Sequence, residues 1–245
     1  ERVHYVEIAQ DVIVAMESER LRNSVLSIIS HDLRTPLTSL IGLANLLEVD
    51  KQESKERHQT ASMIKKEAMR MNNIVVNLLD MARLQSGVQL NKEWIMFEEI
   101  VGSAIRDTQR SLAHHHVKLD IAPNLPVVDI DEVLIERVLV NLLENASKYT
   151  PAESTVIISA QVIADKLIVS VTDNGLGLPA GMESKIFEKF TRGITESSTA
   201  GVGLGLAICR SIIEAHRGKI HAENMVPHGA RFSFTIPINP PPVLP

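Results

Sequence analysis

Residues 201–206 read Gly-Val-Gly-Leu-Gly-Leu and open an apolar helical run, Ala207–His216. A loop of this kind offers backbone N–H groups to an anion at the positive end of a helix. The glycine spacing alone would suit a dinucleotide loop, but that fold needs a strand directly before the glycines. A polar stretch, Thr195–Ala200, stands there instead, and the pattern GxxxxGK[ST] is absent. Those two phosphate-binding architectures are set aside, and the fold is sought in the surroundings of the loop.

Working outward, Asp173-Asn174-Gly175-Leu176-Gly177-Leu178-Pro179 follows a strand-like run, Lys166–Thr172, which with Thr155–Ala164 predicts a hairpin around Ala164-Asp165. A carboxylate at a strand end, with glycines that let another group approach, can accept from the amine of a base. Further upstream, Asp131–Lys148 predicts a helix capped by Asp131, with Ile135, Leu139, Leu142 and Leu143 toward a core. Asn141, Asn145 and Lys148 share one face of it at i, i+4 and i+7. Buried amides are costly unless paired, so that stripe calls for a polar ligand, with plain solvation of Asn141 and Asn145 the alternative. An Asn oxygen suits Mg²⁺ and a lysine suits phosphate. Val117–Ile121, Val127–Ile130, Lys219–Glu223 and Arg231–Ile236 complete the expected strands, giving an α+β or mixed α/β sheet with helices on one face.

The first half is built differently. Residues 1–86 hold one glycine, Gly42, whereas 175–205 hold seven of the twelve, so two dissimilar domains are expected. Tyr5–Leu47 and Ser54–Gln85 predict two long helices joined by a short polar connection, hence antiparallel. Their expected apolar seams are Leu26, Ile29, Leu33, Leu37, Leu40, Ala44 and Leu47, and Ala61, Ile64, Ala68, Met71, Val75, Leu78 and Ala82. Two helices cannot enclose both stripes, which predicts a homodimer completing a four-helix bundle. His31 lies off the stripe, in a polar line with Ser27, Arg34 and Thr38. Asp32 follows it, and Pro36 sits inside the helix at a cost of about 3 kcal/mol, a bend more often tolerated where function uses it. An exposed imidazole beside a carboxylate is a usable nucleophile.

A net charge of −5 argues against nucleic-acid binding, which wants a basic surface. A single cysteine, Cys209, excludes an internal disulfide, fits a reducing compartment and is read as packing. No uncharged apolar run approaches the roughly 18–20 residues of a membrane helix, and no signal peptide is visible. The chain opens on Glu1 without methionine, which fits a piece of a longer protein whose membrane or sensory region lies elsewhere. His114-His115-His116 reads as a solvated helix end rather than a metal site, and Pro237–Pro245 as a frayed Pro-rich tail. Tyr149 is open to a packing role as well as a ligand role.

Taken together, these stretches resemble the catalytic core of sensor histidine kinases. His31–Pro36 is similar to the family's H-box, Asn141–Tyr149 to its N-box, and Asp173–Gly177 and Gly201–Gly205 to its two glycine boxes. Phe187-Glu188-Lys189-Phe190 with Arg192 is similar to its F-box, and all five occur in family order over 18–237. Glu1–Tyr5 and Ser30–Pro36 are similar to the KdpD-type potassium-responsive sensor kinases.

The resemblance implies an incoming signalling helix (1–20), a dimerisation and phosphotransfer hairpin (21–86), a Bergerat-type ATP-binding sandwich (87–237) and a tail (238–245). It implies His31 as phosphoacceptor, Asp32 as its base, and Thr35 positioning water for a phosphatase reaction. Asn145 would hold Mg²⁺ with Asn141 beside it, Lys148 would touch phosphate, Tyr149 would stack on adenine, and Asp173 would accept from its amine. Gly175, Gly177, Gly201, Gly203, Leu204 and Gly205 would line the nucleotide, and 178–202 would form a lid anchored by Phe187 and Phe190, with Arg192 nearby. Hydrolytic relatives of this fold carry a glutamate base where Asn141 stands, and an amide cannot serve as a base. The expected reaction is ATP-dependent phosphorylation of His31 and transfer to an aspartate of a response-regulator receiver domain. A hydrolytic ATPase of the same fold and a non-catalytic scaffold are the alternatives. The setting expected is the cytoplasmic part of an inner-membrane sensor.

Overall fold

The computed structural model describes residue 33 and residues 35–47, 54–85, 90–188 and 204–239. The chain forms two compact units, Glu1–Leu78 and Leu79–Pro245. In the first, residues 35–47 form helix α1 and Ser54–Gln85 form the 32-residue α2, which continues past the boundary of the unit.

Within the single chain the buried stripes share members with the expected seams but run one residue to their side. On α1, Pro36 and Leu43 are buried and Leu33, Leu40 and Leu47 half-buried, whereas Leu37 and Ala44 are exposed. On α2, Thr60 and Ile74 are buried and Ile64, Glu67 and Met71 half-buried, whereas Ala61, Ala68 and Val75 are exposed. Both expected seams shared members with the observed ones, and apolar side chains flank them on either side, so periodicity alone left the rotation about the axis open by one residue. Thr60 tolerates burial because its hydroxyl donates to Glu56 O at 2.9 Å. Leu37, Ile41, Leu46, Met63, Met69, Val75 and Leu79 stay exposed within the single chain. Leu26 and Ile29, together with the side chains of Leu78 and Ala82, lie outside the described residues.

In the second unit the order is β1 (Glu93–Ile95), α3 (Phe97–Thr108), β2 (His116–Ile121), β3 (Val128–Ile130), α4 (Glu132–Tyr149), β4 (Thr155–Ile163) and β5 (Lys166–Asp173). A 3₁₀ turn (Lys185–Phe187), α5 (Gly205–Ala215), β6 (Lys219–Asn224) and β7 (Ala230–Pro237) follow. β1 pairs antiparallel with β3, and a five-stranded sheet runs β2-β4-β5-β7-β6. Among the described strands only β2 and β4 pair in parallel, and a parallel pair needs a long crossover, which α4 supplies. β4 and β5 form the expected hairpin, with Ala164 and Asp165 both at positive φ, the backbone of a tight two-residue connection.

The sheet is one-sided. Val156 and Ile158 on β4, Leu167, Val169 and Val171 on β5, and Phe232, Phe234 and Ile236 on β7 are buried. They share a core with Phe97, Ile100, Val101 and Ala104 of α3, with α4, and with Ile208, Cys209, Ile212 and Ile213 of α5. Helix α3 was not anticipated from the sequence: its N-cap, Met96, makes no side-chain hydrogen bond, so the usual start signal is missing. No helix among the described residues is long and apolar enough to cross a membrane.

Candidate functional site

α4 is the platform of the site. Asp131 caps it through Oδ1, which accepts from Leu134 N at 3.1 Å, while Oδ2 accepts from Asn91 N at 3.0 Å. The capping residue is itself held by a buried histidine that the sequence did not single out. His216 donates from Nδ1 to Ile212 O at 2.8 Å and accepts at Nε2 from Asp131 N at 3.1 Å. Both ring nitrogens are satisfied only in the neutral form, and burial lowers the His216 pKa below its ordinary value of 6.5. This joins the end of α5 to the start of α4.

With Ile135, Val138, Leu139, Leu142, Leu143 and Ala146 committed to the core, the adjoining stripe carries Asn141 and Asn145, both half-buried. No hydrogen bond among the described residues engages either carboxamide. Asn141 faces the start of α5, its Oδ1 standing 3.1 Å from where a Cβ on Gly205 would lie. Leu204, just before Gly205, is buried and its carbonyl accepts from Ile208 N in the first turn of α5. Lys148, one turn beyond Asn145, is exposed and pairs with Glu144 Oε2 at 3.0 Å. An exposed i, i+4 pair of this kind is worth about 0.3–0.5 kcal/mol, so it leaves the ammonium available to an anion. Tyr149 ends the helix at 48% exposure, which removes the reading of it as a core residue.

At that end of α4 the helix meets the loop after β5. A Cβ on Gly175 would stand 2.7 Å from Thr150 Cγ2, so no larger residue fits unless Thr150 moves. Asp173 is 8% exposed at the end of β5; its Oδ1 accepts from Gly175 N at 2.9 Å and from Ala230 N at 3.3 Å. Among the described residues no donor reaches Oδ2, which leaves one carboxylate oxygen with an unused acceptor capacity. Asn174 Oδ1 accepts from Thr155 N at 2.8 Å, and Gly177 has φ +80. Nine positions on from Asn141, about 13 Å along the helix axis, Thr150 meets the Asp173 loop.

The histidine run departs from expectation. Residues 109–114 are turns and His116 begins β2. His115 is half-buried and bonds through Nε2 to Thr150 Oγ1 at 2.9 Å. The Thr150 hydroxyl donates to Ala146 O at 2.7 Å, so it must accept from His115, which places the ring proton on Nε2. His116 pairs with Glu153 at 3.1 Å, and among the described residues no group of three or more His, Cys, Asp or Glu is placed to hold a metal ion. Phe187 is buried, edge-on to Phe232 at 6.4 Å and beneath Arg210 at 5.8 Å. Cys209 is fully buried, its thiol pushed up to about 12, which suits packing and not reactivity. Thr35 is an exposed residue of α1. His31, Asp32, Phe190, Arg192, Gly201 and Gly203 lie outside the described residues.

Two family models match: the His Kinase A (phospho-acceptor) domain over residues 21–87, and the histidine kinase-, DNA gyrase B-, and HSP90-like ATPase over 130–240. The chain belongs to the sensor histidine kinases. Sensor protein KdpD of Escherichia coli strain K12 is 46% identical over 233 residues, 94% of this chain and 26% of that protein. The chain thus spans about a quarter of the length of the KdpD proteins it matches. Among solved histidine kinases, full-length ShkA in complex with AMPPNP aligns over 87% of this chain and 45% of its own at TM-score 0.66 and 27% identity. ThkA in complex with the response regulator protein TrrA aligns over 91% and 66% at TM-score 0.69 and 26% identity. The α+β architecture of a helical unit followed by a mixed sheet is that of these kinases.

Proposed function

We propose that the chain is an ATP-dependent protein-histidine kinase core that phosphorylates His31 and passes the phosphoryl group to an aspartate of a response-regulator receiver domain. The observation that carries the reading is a pair of ligand-ready features: Asn141 and Asn145 amides on α4 without a protein partner among the described residues, and at the end of β5 a buried Asp173 with a spare carboxylate oxygen. Both amides keep access to solvent, and a nucleotide with its metal would take the place of that water. A magnesium ion held by Asn145 would neutralise phosphate charge as transfer proceeds.

The chain's own residues would act as follows. Asp173 accepts from the adenine amine, Tyr149 covers the ring, and Lys148 turns from Glu144 toward phosphate. Gly201–Gly205 present backbone N–H groups to the phosphates at the start of α5. Asp32 takes the proton of His31 as the other ring nitrogen attacks the γ-phosphorus and the bond to the bridging oxygen breaks, releasing ADP. Thr35 serves the reverse task of placing water at the phosphorylated regulator. With an amide at 141 there is no base to activate water against ATP, which favours phosphotransfer over hydrolysis.

Domain limits of 21–86 and 87–237 follow from the same reading, with 1–20 delivering the signal. The apolar side chains left exposed on α1 and α2 suit a homodimer with a four-helix bundle, and a parent spanning the inner membrane and responding to potassium suits the KdpD likeness. Titration calorimetry tests the nucleotide site: Asn145→Ala is expected to lose Mg·ATP affinity at least ten-fold, about 1.4 kcal/mol. Unchanged affinity would remove Asn145 from the site. Release of free phosphate without retention on the protein would favour the hydrolytic reading.

A further inference from the structure

The loop that carries Asp173 is gripped at both ends by one rung of the β6–β7 ladder. Asn224 and Ala230 are register partners at the turn end of that strand pair. Ala230 N donates to Asp173 Oδ1 at the start of the loop. Asn224 holds its far end: Leu178 N donates to Asn224 Oδ1 at 2.6 Å, and Asn224 Nδ2 donates to Leu178 O at 3.0 Å. A carboxamide that pairs with both polar groups of one residue imitates an added strand, and only a donor and an acceptor on the same short side chain can do so. The rung is closed by Met225 N donating to Gly229 O at 2.9 Å. The fit is tight, since a Cβ on Gly177, at φ +80, would stand 2.6 Å from Asn224 Oδ1.

We propose that Asn224 is a positioning residue for the nucleotide site, fixing the register of residues 173–178 so that Asp173 and the backbone beside it meet the base. The inference rests on the kinase reading above. Asn224 is exposed and contributes nothing to the core, so its two bonds act on the loop and not on the fold as a whole. Ala230 secures the carboxylate oxygen that the ligand does not use, and Asn224 removes the slack from the five residues that follow.

The test compares Asn224→Ala and Asn224→Asp with the natural 245-residue chain. Initial autophosphorylation rates against Mg·ATP are expected to show KM raised about five-fold by Asn224→Ala, roughly 1 kcal/mol, with kcat within about two-fold. Asn224→Asp keeps the acceptor for Leu178 N but loses the donor to Leu178 O, so its KM is expected to fall between. In the nucleotide-free protein, amide exchange at Leu178 is expected to quicken in Asn224→Ala while the β4, β5 and β7 amides keep their protection. Unchanged KM and unchanged Leu178 exchange would overturn the proposal, as would a joint loss of kcat and Tm with KM unmoved. If the natural chain takes up no ATP, the kinase reading fails, and the exchange measurement alone decides whether Asn224 holds the loop.

Discussion

Asp173→Asn separates reading of the base from support of the loop. In the folded protein Oδ1 accepts from Gly175 N at 2.9 Å and Ala230 N at 3.3 Å, and an asparagine can keep both bonds through its own oxygen. Folded stability is therefore expected to change by no more than about 1 kcal/mol. The nitrogen falls at Oδ2, where the carboxylate would have accepted from the adenine amine, and a donor now faces a donor. Losing a hydrogen bond to a charged group costs about 1.5–3 kcal/mol, and the unsatisfied pair adds to it, for roughly 2–4 kcal/mol in all. That corresponds to about 30- to 700-fold weaker Mg·ATP binding. Guanine presents an oxygen where adenine presents its amine, so Mg·GTP is expected to lose less, narrowing the preference for ATP by ten-fold or more. Calorimetric titration of both nucleotides, with melting curves of both proteins, reads all three quantities. ATP affinity within about three-fold of the natural chain at unchanged Tm would refute Asp173 as the base-reading group.

Other perturbations test the framework. Gly229 has φ +108 and its added Cβ would run into Asp173 O, so Gly229→Ala is expected to cost about 1–3 kcal/mol and lower the Tm of the ATPase unit by several degrees. His216 holds fewer protons folded than unfolded just below pH 6.5, because burial lowers its pKa. Its contribution is whole above pH 6.5 and is lost on acidification at up to about 1.4 kcal/mol per pH unit, a slope that urea denaturation should find missing in His216→Gln. Ile41 and Val75 are exposed apolar positions on α1 and α2. Ile41→Glu with Val75→Glu is expected to weaken self-association by about 3 kcal/mol, over a hundred-fold, with helicity retained in sedimentation and circular dichroism.

Local signals carried far. Asp131 announced the start of α4 and does cap it, the 3.6-residue period gave its buried face, and Ala164-Asp165 gave the hairpin turn. Signals that depend on partners distant in sequence did not. α3 begins at a methionine with no capping side chain, although Phe97, Ile100, Val101 and Ala104 keep helical spacing. Within the single chain the buried stripes of α1 and α2 run one residue to the side of the expected seams, which were read for a bundle of two copies. His115 sits 35 residues from Thr150, His216 85 from Asp131, and Asn224 46 from Leu178. No local pattern marks such contacts. The half-buried amides of α4 and the buried carboxylate ahead of the glycines after β5 were legible as local features, because helical spacing and strand ends mark such positions.

Transfer of the phosphoryl group from ATP to His31 is read by incubation with γ-labelled Mg·ATP, followed by acid and alkali treatment of the isolated protein. Label that is lost in acid, survives alkali and is absent from His31→Gln is the expected result, since a phosphoramidate on imidazole has that stability. Label that persists in His31→Gln, or labelled phosphate released with none on the protein, would contradict the account.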